Sequence, residues 1–227
     1  HGELYKNSEY LNLLTVMNVY VRLSAAGVSN ERRQFVDIGT CDFDKICENI
    51  SILSNYNISN SLRIQPIIPG FEDDVRKMVE KAAISGVNHI SFEHLKIASE
   101  NLQHEIKDIS KGIGFNIWNY ASEKGMNRIG RDYVLKTEVK WPFIYDLRNR
   151  CKELGIYFGA GDTEFIHLSD GNGCCNSSGL FLKNSNQFDS NYIGILKHGK
   201  GVHRIRFSDL LEKWYPKLNV HRYLNKN

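Results

Sequence analysis

A glycine-rich stretch in the last third of the chain combines residue types that support metal or sulfur chemistry. The segment GDTEFIHLSDGNGCCNSSG, residues 161–179, holds carboxylic acids, a histidine, two adjacent cysteines and four glycines. Cys174 and Cys175 are the candidate catalytic residues, because a cysteine sulfur can ligate a metal, form a disulfide or serve in redox chemistry. Asp162 and Asp170, in contrast, are common turn residues that can form Asx-turns.

The paired cysteines leave several kinds of chemistry open. Adjacent cysteines seldom hold one tetrahedral ion together, since zinc sites space their cysteines by about two to four residues. A zinc site built from His167, Cys174 and His198 is one reading, and a redox-labile vicinal disulfide is another. In a third, a thiol over the mouth of an active site ligates an auxiliary cluster or donates a hydrogen atom. In the fourth, both are surface thiols of a flexible loop.

Short β-rich runs alternate with longer helical patterns along the chain. Strands are predicted at 18–26, 61–69, 87–97 and 155–161, and the region 99–136 is predicted as a helix followed by an irregular insertion. Three helices are predicted from apolar residues at helical spacing: Phe43, Ile46, Cys47, Ile50 and Leu53 after a Thr40 N-cap; Val75, Met78, Val79, Ala82 and Ala83; and Val139, Phe143, Leu147, Cys151 and Leu154. This order predicts βαβ units, with the four strands adjacent and parallel in chain order.

Two α/β architectures fit that pattern, an open doubly wound sheet and a (β/α) barrel. No G-x-G-x-x-G turn follows a strand, which weakens the dinucleotide-binding version of the open sheet. Polar residues gather where strands end, as barrel enzymes require: Ser24, Gln65, Glu93, His94 and Asp162. We therefore predict a partial (β/α) TIM-type barrel over residues 1–170 and a carboxyl-terminal extension over 171–227. Four units make half of such a barrel, so either the last fifty residues complete a smaller sheet or further strands lie upstream. We favour further strands upstream.

The segment LRIQPIIPGFEDDVRKMVEKAAISGVNHISFEHLKI, residues 62–97, resembles the later part of a radical S-adenosylmethionine (radical SAM) barrel. The branch that it resembles contains spore photoproduct lyase and its DNA-photolyase-like relatives. VYVRLSAA and LRNRCKELGIYFGAGDTEFIHLSDGNGCC extend the resemblance over residues 10–175. It implies a 4Fe–4S cluster and S-adenosylmethionine as cofactors. The implied activity is reductive cleavage of S-adenosylmethionine to a 5′-deoxyadenosyl radical that acts on an unknown substrate, with nucleic acid as a candidate.

The resemblance assigns cofactor contacts by position. Ser24 and Arg63 match the strand ends that touch the ribose and carboxylate of S-adenosylmethionine, with Gln65 as a second choice. A guanidinium suits a carboxylate because its fork donates two parallel hydrogen bonds; Arg63 can equally be an edge-exposed salt-bridge residue. Glu93 and His94 alternate faces of one strand, and Glu93 is favoured as the residue that points inside.

The chain departs from the family pattern at the cluster. No C-x-x-x-C-x-x-C motif is present, and Cys41 and Cys47 are separated by five residues. The cluster ligands are therefore expected upstream of residue 1, and no metal ligand is assigned in this chain.

The basic tail suggests a second type of partner. Residues 196–227 hold eight Lys and Arg residues against two acids, interleaved with aromatic residues, a mixture that suits single-stranded nucleic acid. An amphipathic helix, FSDLLEKWYPKL, packed on the barrel is the other reading. The alternative overall function is a cluster-free α/β module that binds nucleic acid or a metal without turnover. The net charge of +3 is too small by itself to identify a polyanionic partner. An odd number of cysteines, five, and the lack of a long apolar run predict a cytoplasmic protein with no membrane contact.

Overall fold

The structure is a computed structural model, and it describes residues 7–98, 103–171 and 177–183. Its strands are β1 (Val21–Gly27), β2 (Asn60–Ile67), β3 (His89–His94), β4 (Lys96–Ala98), β5 (Met126–Ile129), β6 (Asp132–Leu135) and β7 (Tyr157–Ala160). Its α-helices are α1 (Ser8–Val16), α2 (Asn30–Val36), α3 (Phe43–Asn55), α4 (Glu72–Ile84), α5 (Gln103–Ile113), α6 (Ile117–Lys124), α7 (Thr137–Glu153) and α8 (Ser178–Phe181). A 3₁₀ helix spans Thr163–Leu168.

The central sheet has four parallel strands in the order β1-β2-β3-β7. This arrangement confirms the prediction that the four β-rich segments are neighbouring parallel strands in chain order, and the mixed α/β class with it. The register aligns Ser24 with Arg63, Arg63 with Ser91 and Ser91 with Gly159. Residues far apart in the sequence thereby form one row across the sheet.

The crossover helices α3, α4 and α7 pack on one face of this sheet. Their apolar stripes and every second strand residue make a single core, in which Ile50, Leu62, Val79, Ile90 and Phe158 are almost fully buried. Burial of a large aliphatic side chain contributes roughly 1.5–3 kcal/mol, so this shared core holds the helices to the sheet. The residues of the predicted helical stripes are buried, except Ala83, Val139 and Leu154, which are half-buried. Leu53 is buried in a smaller cluster with Leu11 and Ile58.

The predicted cap of α3 is wrong. The helix begins at Phe43, and the backbone N–H of Phe43 donates to Oδ1 of Asn30 at 2.7 Å. The Thr40 hydroxyl instead donates to the carbonyl of Asp37. A tertiary contact from α2 thus replaces the local cap that the sequence suggested.

The region after β3 is more regular than predicted. The strand predicted at 87–97 is divided, because the chain leaves the parallel sheet after His94 and enters a second, antiparallel sheet of order β4-β6-β5. The insertion from Lys96 to Leu135 also contains α5 and α6. Ile97, Ile106 and Ile117 of this insertion pack on Ala26, Val28, Ile68 and Phe71, at the carboxyl ends of β1 and β2. The insertion therefore caps that end of the central sheet.

The outer edge of β7 is covered by side chains of its own chain. The backbone N–H of Phe158 donates to Oδ2 of Asp170 at 2.6 Å, and that of Ala160 donates to Oγ of Ser169 at 2.9 Å. An exposed strand edge offers unpaired donors to other chains, and these two side chains remove them. In the described part of the chain, the helices are too short or too polar to span a lipid bilayer.

Candidate functional site

The two faces of the central sheet differ in polarity. Side chains alternate between the faces of a strand, and one set enters the helix-covered core. The other set forms what we call the polar face: Arg22, Ser24, Ser61, Arg63, Gln65, His89, Ser91 and Glu93. A sheet face lined with charged groups and hydroxyls is unusual for packing and suits a polar ligand.

The structure brings the four sequence-predicted cofactor residues to this one face. Arg63 and Gln65 are half-buried on β2, Glu93 is 8% exposed on β3, and Ser24 is exposed on β1. Nη2 of Arg63 lies 3.8 Å from Oε2 of Glu93, an ion-pair distance but not a hydrogen bond. Glu93 thus faces Arg63 on the polar face.

Three buried polar atoms on the polar face have no hydrogen-bond partner among the described residues: Nε of Arg63, Oε1 of Gln65 and Oγ of Ser91. A buried donor or acceptor left unsatisfied costs roughly 1–3 kcal/mol, so native structures pair nearly all of them. The polar face therefore has donor and acceptor capacity that a bound molecule can use.

Gly161 leaves room for the Glu93 side chain. A Cβ on residue 161 would lie 2.8 Å from Oε2 of Glu93 and 2.9 Å from its Cβ, closer than real contacts. The Glu93 side chain packs against this glycine, and its carboxylate pairs with the ammonium of Lys96. That hydrogen bond raises the pKa of Lys96. The glycine and Lys96 together fix the position of the carboxylate beside Arg63.

His94 faces the opposite side of the sheet and joins a buried charge network. Its Nδ1 lies 2.8 Å from Oδ2 of Asp162, and its backbone N–H donates to the same oxygen at 3.1 Å. Nζ of Lys140 donates to Oδ1 of Asp162 at 3.2 Å and also pairs with Glu164. His94, Lys140 and Asp162 are each no more than 4% exposed. The network ties the carboxyl ends of β3 and β7 to α7.

The network keeps Asp162 ionised. Burial by itself raises the pKa of this carboxyl, but the hydrogen bonds from His94 and the nearby charges of His94 and Lys140 outweigh it and lower the pKa to about 2. The reading of Asp162 as a simple turn residue is therefore wrong, since its carboxylate contacts residues 22 and 68 positions away. Asp170 likewise accepts from β7, twelve positions back.

The amino end of the polar face holds a neutral histidine. Oγ of Ser61 lies 2.7 Å from Nδ1 of His89, and both residues are buried. Burial, with a smaller contribution from Arg22, lowers the pKa of His89 to about 4. The Phe181 ring covers this end, 6.5 Å from the His89 ring and 6.0 Å from that of Tyr157. The charged Arg63 and Glu93 therefore lie towards the other end of the face.

The structure tests only part of the cysteine chemistry. Cys174 and Cys175, residues 196–227 and the proposed zinc ligand His198 lie outside the described residues, whereas His167 is exposed. Cys47 and Cys151 are buried free thiols whose pKa burial raises, to about 12 for Cys151. Among the described residues, no three His, Cys, Asp or Glu side chains cluster closely enough to hold a metal ion.

Sequence reasoning missed Lys140 and Lys96. Lys140 stands on the apolar stripe of α7, at helical spacing from Phe143, Ile144 and Leu147. A lysine in such a stripe either reaches solvent with its ammonium or is buried, and a buried ammonium requires an anionic partner. That position therefore indicated a buried anionic partner for Lys140, although not that the partner is Asp162. Lys96 carries no comparable signal, since it follows a strand as many surface lysines do.

Comparison with known proteins adds no family to this description. No family model matches the chain, and neither a curated protein nor a solved structure shows significant similarity to it.

Proposed function

We propose that the chain forms the later βα units of a radical SAM-type (β/α) barrel and that its polar face binds S-adenosylmethionine. In a doubly wound sheet, helices cover both faces, and the strand order reverses at one point. Here the order β1-β2-β3-β7 does not reverse, and α3, α4 and α7 share one core on a single face. A barrel wall likewise carries its helices on the outer face only, so in a barrel the polar face would be the one directed inward.

The donors and acceptors of the polar face fit the functional groups of S-adenosylmethionine. The Arg63 guanidinium suits the carboxylate of the amino-acid moiety, and the Glu93 carboxylate suits its ammonium. Ser24, Gln65 and Ser91 offer groups for the ribose hydroxyls. The single observation that carries the proposal is the set of unpaired buried atoms of Arg63, Gln65 and Ser91 beside the Glu93 carboxylate.

The described residues do not fit a 4Fe–4S cluster. Cys47 and Cys151 lie in the apolar core between helices and sheet, on the face opposite to Arg63 and Glu93, and burial raises the pKa of both thiols. The third described cysteine, Cys41, is partly buried against the same core. A cluster ligand must be a thiolate. We therefore derive no step through a cluster, and the part proposed for this chain is to bind and orient S-adenosylmethionine.

Calorimetric titration of the chain with S-adenosylmethionine tests the proposal. Arg63→Gln is expected to weaken binding by about tenfold to a hundredfold, because hydrogen bonds to a charged group contribute about 1.5–3 kcal/mol. The affinity for 5′-methylthioadenosine, which lacks the amino-acid moiety, should change by less than about twofold, since it has no carboxylate for Arg63 to hold.

Arg76→Gln is the matched control, because it removes the same charge from an exposed position on α4, where Arg76 pairs with Asp73 of the same helix and with Asp146 of α7. It should leave both affinities unchanged. A wild-type chain that does not bind S-adenosylmethionine at millimolar concentration would refute the proposal. An Arg63→Gln variant that binds as tightly as the control would refute the role of Arg63.

A further inference from the structure

A cavity of about 590 Å³ opens between α5 and α6, in the insertion that caps the central sheet. Pockets for small molecules commonly measure about 300–1,000 Å³, so this one has the size for a ligand. Its lining comes from α5, α6 and the turn between them, and it shares no described residue with the polar face. The cavity is therefore a separate site from the polar face proposed above to bind S-adenosylmethionine.

The charge in the cavity is positive. Lys107 and Lys111 stand one turn apart on α5 and both line it, while the described lining contains no carboxylate. The lysines that form ion pairs within the described residues are others: Lys45, Lys81, Lys96 and Lys140. Two ammonium groups i and i+4 on a helix repel each other, which favours an anion between them.

Two aromatic rings in the lining of the cavity, Phe115 and Trp118, pack against other aromatic residues. The Phe115 ring packs edge-on against Phe71 at 4.9 Å between centroids, and Gly70 has no Cβ to block it. The Trp118 ring packs edge-on against Tyr133 at 5.2 Å. Fixed rings offer a stacking surface at little cost in side-chain entropy, because their packing already restricts them.

Two backbone N–H groups in the first turn of α6 are already engaged in hydrogen bonds. Those of Ile117 and Asn119 donate to Oγ of Ser110 and Oδ1 of Asn116. The full positive charges of the cavity belong to the side chains of Lys107 and Lys111. The side chains of Asn116 and Asn119 still line the cavity and can donate hydrogen bonds to a polar ring.

We propose that this cavity binds a nucleoside phosphate, with the base against Phe115 and Trp118 and the phosphate between Lys107 and Lys111. A planar heterocycle matches the ring wall, and a phosphate matches the paired ammonium groups. The volume accommodates one nucleotide. Either a free nucleotide or one unit of a single strand of nucleic acid presents this chemistry.

The test is titration of the chain with AMP, followed by tryptophan fluorescence and calorimetry. Trp118 is one of three tryptophans, and AMP is expected to quench its emission. Lys107→Gln/Lys111→Gln should weaken AMP binding by about tenfold or more, since each phosphate contact is a charge-assisted hydrogen bond. Adenosine alone and inorganic phosphate alone should each bind more weakly than AMP.

The matched control is Lys124→Gln/Arg131→Gln, which removes two charges from the same insertion at exposed positions outside the cavity. It should leave AMP affinity unchanged, and Trp118→Phe should remove the quenching while binding persists by calorimetry. Arg63→Gln should also leave AMP affinity unchanged. Equal weakening in the two double variants, or displacement of AMP by S-adenosylmethionine, would overturn the proposal. It would also be overturned if neither AMP nor a short oligodeoxyadenylate bound to the chain.

The source of the nucleotide follows from the same titration. Tighter binding of AMP than of the oligodeoxyadenylate identifies a free nucleotide, and the reverse identifies a single strand. Either result supports the site, provided that it depends on Lys107 and Lys111.

Discussion

Replacing Asp162 by asparagine is expected to destabilise the fold by about 3 kcal/mol at pH 7. The change keeps the size of the side chain and an oxygen that accepts from the His94 backbone, but it leaves the Lys140 ammonium, 3% exposed, without its buried counter-charge. Removal of one partner from a buried ion pair costs about 3–5 kcal/mol. The lower end applies because Glu164, which is partly exposed, still pairs with Lys140.

The pH dependence gives an independent measure of the same carboxylate. Its pKa is about 2 in the folded chain against an ordinary value of 3.8. A lowered pKa stabilises the fold above the unfolded value and loses that contribution as the pH falls through the folded value. The difference corresponds to about 2 kcal/mol, lost between about pH 4 and pH 2. Asp162→Asn should lack this part of the acid destabilisation.

Urea unfolding followed by circular dichroism, at pH 7 and at acid pH, measures both effects. Asp73→Asn is the control, because Asp73 is 85% exposed in its ion pair with Arg76 and should cost less than about 1 kcal/mol. Lys140→Met/Asp162→Asn should recover at least half of the loss, since no buried charge remains unpaired. An Asp162→Asn variant as stable as the control, with an unchanged acid profile, would refute this reasoning.

Three further changes test other parts of the structure. Gly161→Ala is expected to displace the Glu93 carboxylate, because the new Cβ would lie 2.8 Å from Oε2, and so to weaken S-adenosylmethionine binding in calorimetry; an unchanged affinity would contradict this. The pKa of His89 is about 4 in the folded chain against an ordinary 6.5, so between these values the histidine takes up a proton only on unfolding. The free energy of unfolding should therefore fall by about 3 kcal/mol as the pH is lowered from 6.5 to 4. In His89→Asn this fall should be smaller in urea titrations, and parallel stability curves would argue against it. Cys151, with a pKa of about 12 and full burial, should react with iodoacetamide at pH 8 only after unfolding; mass spectrometry that finds it labelled as fast in the native chain would contradict its burial.

The strands and crossover helices were predictable because their signals are local. Ile46, Ile50 and Leu53 recur at helical spacing whatever lies around them, and the β-rich runs carry their own boundaries. The insertion was less predictable. Its short strands β5 and β6 turn at Gly130, which has a φ of +62°, yet β6 also pairs with β4, where Tyr133 lies opposite Ile97, 36 residues earlier in the chain.

The candidate site was predictable in outline. Ser24, Arg63, Gln65 and Glu93 follow the strand alternation, so parallel pairing alone brings them to one face. For Glu93 and His94, strand alternation required only that their side chains point to opposite faces. The structure separates them because Gly161 accommodates Glu93 on the polar face, while Asp162 and Lys140 pair with His94 on the other.

The sequence by itself determined the alternation of strand and helix, the α/β class and the residue types that line each strand. These properties follow from periodicity and from covalent geometry, which act over a few residues. Only the tertiary structure decided which charges are buried together. Lys140 and Asp162 lie 22 residues apart, and His94 and Asp162 lie 68 apart. These ion pairs depend on how α7 packs across the ends of β3 and β7. Because a buried charge without a partner is costly, the three groups need one another once this packing removes them from water.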